Sequence, residues 1–348
     1  MFYFQLLQPE QTGGYQKGKY KPQIVALAEG LLLLGMEIGA NINYYVRSPT
    51  NDADYLLTKT PFVASQVKCL IVSLDSLLQP DQVTNDRMAL CQRLKKPVIV
   101  FDWIASRFLS MTSQDSLLNR LDKYMFYSYI PEIAKQPKFA KVLPWPIGYT
   151  QRVSDMCQYY WKPFQDRNKT ILWSHRVPHH VRKTVWDCFY SPYLANGIER
   201  FNDLFQRPRD IDKFDVMMNF QTGNRHNPNF YQALCSSQLV DCCGGFFKGQ
   251  DIRQWDSYML WEGFQSGCCV ITLDIEYYGF KTGADEEPKN MVHYIGLRLN
   301  QPDYLKQLAH SIAYRTIDIE AIAVAGREWA TKYFSPEARA SAFLKLVM

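Results

Sequence analysis

Residues 268–273 read CCVITL, an apolar run broken by a single threonine and without the alternation of a strand that has one wet face. A short run of this kind, rich in β-branched residues, is a strand covered on both sides, and such strands belong to the interior of parallel sheets. A helix pattern precedes it. Tyr258, Trp261 and Phe264 share one face at helical spacing, and Gly267 supplies the residue that stops the helix on its C-terminal side. The same alternation recurs along the chain. Strand-like runs stand at residues 2–7, 41–46, 69–74 (CLIVSL), 97–101 (PVIVF), 123–130, 139–143, 169–174 (KTILWS), 214–220, 238–243 and 293–299, with helix patterns at about 23–35, 88–96, 229 onward and 301–314. Strand and helix in turn predict an α/β protein with parallel sheets.

The length of 348 residues is long for one core and comfortable for two. Residues 143–148 (LPWPIG) mark an edge by their two prolines and a glycine, so the expected division is 1–150, 151–325 and a closing helical segment 326–348. Residues 150–168 read as the connection. Ser335 followed by Pro336 is a good start for the last helix.

Hydrophobic residues make up 47% and charged residues 21%, as in soluble globular proteins, and no apolar run reaches the roughly 18 residues of a membrane span. The strand-like start lacks the basic segment of a signal peptide, and the nine cysteines sit mostly in apolar runs without a CxxC pair. Buried reduced thiols and a cytoplasmic location are the expectation. The net charge of +5 suits phosphate-bearing ligands and permits peripheral contact with an anionic membrane. Lys and Arg are spread along the chain rather than gathered in a stripe, so no nucleic acid is expected.

Several residues have the chemistry of a ligand site. Gly13, Gly14 and Lys17 lie in the loop after the first strand, with Lys19 and Lys21 adding charge. Asp102 stands just past the fourth strand run, where ligands of open α/β sheets bind; it is read either as a base or as a helix cap. Asp52 and Asp54 are the other candidate bases. Ser174, Arg176, Arg182 and Lys183 follow the 169–174 strand, and the planar fork of Arg suits phosphate oxygens. His179 and His180 are adjacent and do not converge on an ion without further ligands, so no metal site is expected. Lys248 and Arg253 read as a charged loop before the helix that Gly267 stops, and Ser257, Tyr258 and Glu262 belong to that helical stretch. Glu262 lies among aromatic residues and needs a partner or a task.

The stretch Glu262-Gly-Phe-Gln-Ser-Gly267-Cys268-Cys-Val270 resembles the donor-site motif of GT-B fold glycosyltransferases, including exostosin-like and family 1-like sequences. The alternative is an ordinary βαβ unit with Glu262 paired to an arginine. The resemblance implies two Rossmann-like, doubly wound domains facing across a cleft, with an acceptor-side N-terminal domain, a C-terminal domain that binds a nucleotide-sugar, and a last helix crossing back to the first domain. It implies ribose contacts from Glu262, phosphate contacts from Ser174, Arg176, Arg182, Lys183, Lys248 and Arg253, neighbouring contacts from Ser257 and Tyr258, and a Gly13, Gly14 and Lys17 loop on the acceptor side. It implies no obligatory cofactor or metal. The partners would be a nucleotide-sugar and a hydroxyl acceptor, whether glycan, lipid-linked or small molecule. Retaining members often carry a second Glu eight positions earlier, where this chain has Gln254, and the usual proline after Gly-Cys is absent. The rival readings are a nucleotide-sugar epimerase of the same fold and a non-catalytic nucleotide- or nucleic-acid-binding protein.

Overall fold

A computed structural model describes residues 1–7, 21–47, 54–78, 82–102, 118–126, 129–173, 180–195, 205–206, 228–244, 246–248 and 251–348. Two compact units emerge. One takes Met1–Gln151 and Phe334–Met348, and the other lies within Arg152–Lys213 and His226–Tyr333.

The first unit contains β1 (Phe2–Gln5) and β2 (Ile38–Ala40), an antiparallel hairpin of β3 (Tyr44–Val46) and β4 (Tyr55–Leu57), then β5 (Cys69–Ser73), β6 (Val98–Asp102), β7 (Lys123–Phe126) and β8 (Val142–Pro144). Its six-stranded sheet has the order β2-β1-β5-β6-β7-β8, with every neighbouring pair parallel. All residues of β1, β5 and β6 are buried. The strand expected at 41–46 is confined to Tyr44–Val46, which pairs in the hairpin with Tyr45 at φ 60°, while the strand that joins the sheet lies just before it at Ile38–Ala40.

Helix Pro336–Val347 packs on helix Pro22–Leu33 within this unit. Gly30 makes that approach feasible, because a Cβ there would sit 1.9 Å from the Pro336 carbonyl oxygen. Ser335 caps the closing helix, its Oγ accepting from the Ala338 amide at 3.3 Å. Phe343 then meets Phe2 and Trp145 with ring centroids 6.1 and 6.2 Å away, and the Arg339 guanidinium lies 3.5 Å over the Trp145 ring.

The second unit contains β9 (Asn168–Leu172), β10 (Phe205–Gln206), β11 (Ser237–Asp241), the antiparallel pair β12 (Phe246–Lys248) and β13 (Asp251–Gln254), then β14 (Cys269–Leu273) and β15 (Ile295–Leu297). The sheet order is β10-β9-β11-β14-β15, again parallel throughout. Helix Tyr258–Ser266 begins at Ser257, whose Oγ accepts from the Leu260 amide at 3.3 Å, and ends at Gly267 with φ 74°. Its Gly263 faces the sheet: a Cβ would lie 2.9 Å from Cys242 Sγ and 3.0 Å from both Val240 and Val270.

Three other expectations change. The 150–168 connection holds a real helix, Gln151–Tyr159, which buries Val153 and Cys157 four residues apart. Lys248 and Arg253 stand on the strands of a hairpin rather than in a loop, because residues 246–248 and 251–254 pair across it. A sixteen-residue helix, Ile319–Phe334, also forms between the 302–314 and closing helices. The strand expected at 214–220 lies outside the described residues.

Candidate functional site

Each sheet has one place where the chain reverses its direction of winding. In the first unit it lies between β1 and β5, and in the second between β9 and β11. In open α/β sheets the strand ends at such a point form a crevice that both connections leave open, and ligands bind there.

In the second unit, Asp241 closes β11 at this point and is fully buried. Its Oδ2 accepts from the Tyr190 hydroxyl at 2.7 Å, and its Oδ1 from the Cys243 amide at 3.1 Å. Trp173, just past β9, meets the Tyr190 ring edge-on at 4.7 Å and Trp186 at 5.6 Å. Burial pushes the Tyr190 hydroxyl well above its usual range, and the Asp241 charge adds to the effect. Tyr190 is therefore a neutral donor, fixed on a carboxylate.

Arg182, in helix His180–Val185, shares this surrounding. Burial lowers its pKa, and the Asp241 charge opposes that shift. Its Nε is buried and has no hydrogen-bond partner. A guanidinium held in that way, beside a crevice at strand ends, has an unused donor for an anion. The start of helix Tyr258–Ser266 reaches the same strand end, because the Ser257 hydroxyl donates to the Cys242 carbonyl at 3.0 Å. The structure thus brings two of the sequence candidates, Arg182 and Ser257, to residues 241–243.

Other candidates are placed elsewhere. Glu262 is buried one turn down its helix, where Oε1 accepts from the Tyr231 hydroxyl at 3.1 Å. Tyr258, in the first turn, is half-buried. Lys183 points to Asp187 in an exposed ion pair along its own helix. For Lys248 and Arg253 the structure gives the strand positions alone. Ser174, Arg176, Gly13, Gly14, Lys17 and Asp52 lie outside the described residues. In the first unit Asp102 is fully buried at the end of β6 and accepts from the Tyr124 hydroxyl at 2.7 Å. Asp54 takes the Arg47 guanidinium at 2.5 Å on the hairpin.

Sequence reasoning missed Asp241 and Tyr190. Asp241 carried a signal, a lone carboxylate at the end of an apolar strand run; Tyr190 carried none, since only the tertiary fold brings its hydroxyl to a residue 51 positions away. Among the described residues no cluster of three or more His, Cys, Asp or Glu side chains is arranged to hold a metal ion, and no helix is long and apolar enough to cross a membrane.

No protein-family model matches the sequence, and no curated protein sequence matches it. Solved structures do resemble it. An alpha-glucosyltransferase in complex with UDP and a 13-mer DNA containing a HMU base is similar over 100% of this chain and 99% of its own, with TM-score 0.56 and 13% identity. The same kind of enzyme with UDP-glucose and DNA containing an abasic site gives TM-score 0.53 at 12% identity, over 99% of this chain and 98% of its own. HepE from Anabaena, in complex with UDP, gives TM-score 0.51 at 10% identity over 99% of each chain. At such identities the likeness is one of fold: this chain has the α/β fold of these glycosyltransferases, in agreement with the GT-B resemblance of the 262–270 stretch.

Proposed function

We propose that this protein is a glycosyltransferase that moves a sugar from a nucleotide-sugar to a hydroxyl acceptor. The observation that carries the reading is the β9–β11 strand end, where Arg182 keeps a buried, unpartnered Nε beside the fixed Asp241–Tyr190 pair. The fold shared with UDP- and UDP-glucose-bound enzymes supports it.

In this reading the second unit holds the donor. The acceptor hydroxyl oxygen attacks the anomeric carbon as its proton passes to a general base, and the bond from that carbon to the diphosphate oxygen breaks. Negative charge then builds on the leaving diphosphate, and a fixed guanidinium stabilises it without reorganising. Arg182 has that role, and the phosphate contacts that the GT-B resemblance implies for Ser174, Arg176, Lys248 and Arg253 belong to the same reading. Glu262, oriented by Tyr231, takes ribose hydroxyls. Because side chains serve the diphosphate, transfer proceeds without a metal, and a chelator leaves the rate unchanged.

The test is calorimetry and thermal shift with UDP-, GDP-, ADP- and CMP-linked sugars, on wild type and Arg182→Met. One nucleotide class binds selectively, and the variant binds it at least about tenfold more weakly, as expected for the loss of a charge-assisted hydrogen bond. A well-folded wild type that binds none of them refutes the reading. Incubation with donor alone separates the epimerase alternative, which converts the sugar with no acceptor present. The acceptor arm includes DNA beside glycans, because the alpha-glucosyltransferase structures contain DNA and the expectation of no nucleic acid rests on charge distribution alone.

A further inference from the structure

The reversal point of the first unit holds a carboxylate that sequence analysis did not single out. β1 and β5 lie side by side there, with Gln5 opposite Val72. The segment after each strand leads into a helix: Lys21 directly precedes helix Pro22–Leu33, and Asp75 lies in the first turn of Leu74–Leu78. Their side chains meet across the strand ends, Lys21 Nζ to Asp75 Oδ2 at 2.8 Å, and are only 3% and 6% exposed. The backbone amide of Lys21 donates to the Tyr44 hydroxyl at 2.8 Å, which fixes its position further.

The polar groups around this pair are joined to one another. Ser73 and Ser76 hydroxyls are 3.0 Å apart, Ser76 Oγ donates to the Gln5 carbonyl at 3.4 Å, Gln5 Nε2 donates to Thr84 at 3.0 Å, and Arg87 Nη1 donates to Gln5 Oε1 at 2.6 Å. Asp75 Oδ1 is the exception: it is buried and has no hydrogen-bond partner. Buried oxygens are almost always paired, and one left open at a ligand-binding position is an acceptor waiting for a donor. Lys21 already matches the carboxylate charge, so the open oxygen suits a neutral donor rather than a second cation.

We propose that Asp75 Oδ1 binds the hydroxyl of the acceptor substrate, with Lys21 as the positioning residue that fixes the carboxylate. This rests on the glycosyltransferase reading and sets Asp75 ahead of the other first-unit carboxylates described. Asp102 is bonded to Tyr124 and lies one strand away from the reversal point, and Asp54 is held by Arg47 on the hairpin.

The experiment compares wild type with the double variant Lys21→Met/Asp75→Leu, which removes both charges and keeps an apolar filling. Calorimetry measures binding of UDP-glucose, or of whichever nucleotide-sugar binds best in the screen. Nucleotide release is then followed with water, glycerol and methyl α-glucoside as hydroxyl probes. The expected result is donor affinity within about twofold of wild type and a loss of about 10- to 100-fold in kcat/KM for the hydroxyl probe, the effect of one hydrogen bond to a charged group. A chain with Lys21→Met alone shows a raised KM for the probe, since Asp75 remains but loses its anchor. Release by the double variant within about twofold of wild type overturns the proposal, as does a wild type that binds donor yet uses none of the probes. Absence of donor binding in wild type is a different result: it refutes the glycosyltransferase reading, and this inference falls with it.

Discussion

The Lys21–Asp75 pair gives a sharp test of how the first unit is held together. At 2.8 Å the attraction is about 6 kcal/mol for an effective dielectric of about 20, and both side chains have surrendered most of their hydration to gain it. The two terms nearly offset each other, so the pair adds little net stability while either charge alone is expensive to bury. Removing Asp75 leaves an ammonium 5.7 Å from the centroid of the Tyr44 ring and without its carboxylate. Asp75→Leu and Lys21→Met are therefore each expected to lose about 3–5 kcal/mol, while the double variant stays within about 1–2 kcal/mol of wild type. For a unit of this size each single variant lowers the melting temperature by roughly 6–20 °C. Urea titration followed by circular dichroism reads all four corners of the cycle, and repeating it at high salt leaves the coupling in place because a buried pair is poorly screened. Single losses under about 1 kcal/mol that simply add in the double variant, as for exposed ion pairs, would falsify the claim that the pair is buried and interdependent.

Gly30→Ala is expected to destabilise the first unit by at least about 1 kcal/mol in the same titration: overpacking against the Pro336 backbone outweighs the roughly 1 kcal/mol that alanine adds to a helix. A more stable variant would contradict the packing of the closing helix. Tyr231→Phe should cost about 1.5–3 kcal/mol by removing the donor to Glu262, whereas Glu262→Gln keeps that bond and weakens nucleotide-sugar binding about tenfold. Unchanged binding in Glu262→Gln leaves that residue a structural role only. His293 carries a pH dependence. Burial first, and Lys289 second, hold its pKa below the usual value, and its Nδ1 accepts from the Lys289 amide at 2.9 Å. The unfolded chain then binds more protons than the folded one between the lowered pKa and about 6.5, so stability is constant above that window and falls as pH drops through it. His293→Asn removes that part of the slope in urea midpoints measured at about pH 7.5 and 5.5; an identical slope would show that other groups account for it.

The sequence alone was sufficient for elements whose signal is local. Residues 69–73, 98–102 and 269–273 are apolar but for one residue each, Ser73, Asp102 and Thr272, and a strand buried on both faces needs little else. The C-terminal end of the 258–266 helix was legible because Gly267 acts within one turn, whereas the Ser257 cap at its start emerged with the structure. The Gln151–Tyr159 helix escaped notice because two buried residues in a polar, aromatic stretch make a faint pattern, and the β12–β13 hairpin because its charged residues imitate a loop. The 262–270 stretch spoke for the GT-B fold, and the glycine inside it is explained by the strands beneath.

The site divides in the same way. Residue types at strand ends were visible, and with them Arg182, Ser257 and Glu262. Their partners were not: Tyr190 for Asp241, Tyr231 for Glu262, and Asp75 for Lys21 are far apart in the chain. Hydrophobic pattern and capping are decided by neighbours in sequence. Pairing of buried polar groups is decided by the sheet order, which brings distant helices over one strand end, and by the requirement that nearly every buried polar atom find a partner there. Only the tertiary structure could show that Arg182 Nε and Asp75 Oδ1 had found none.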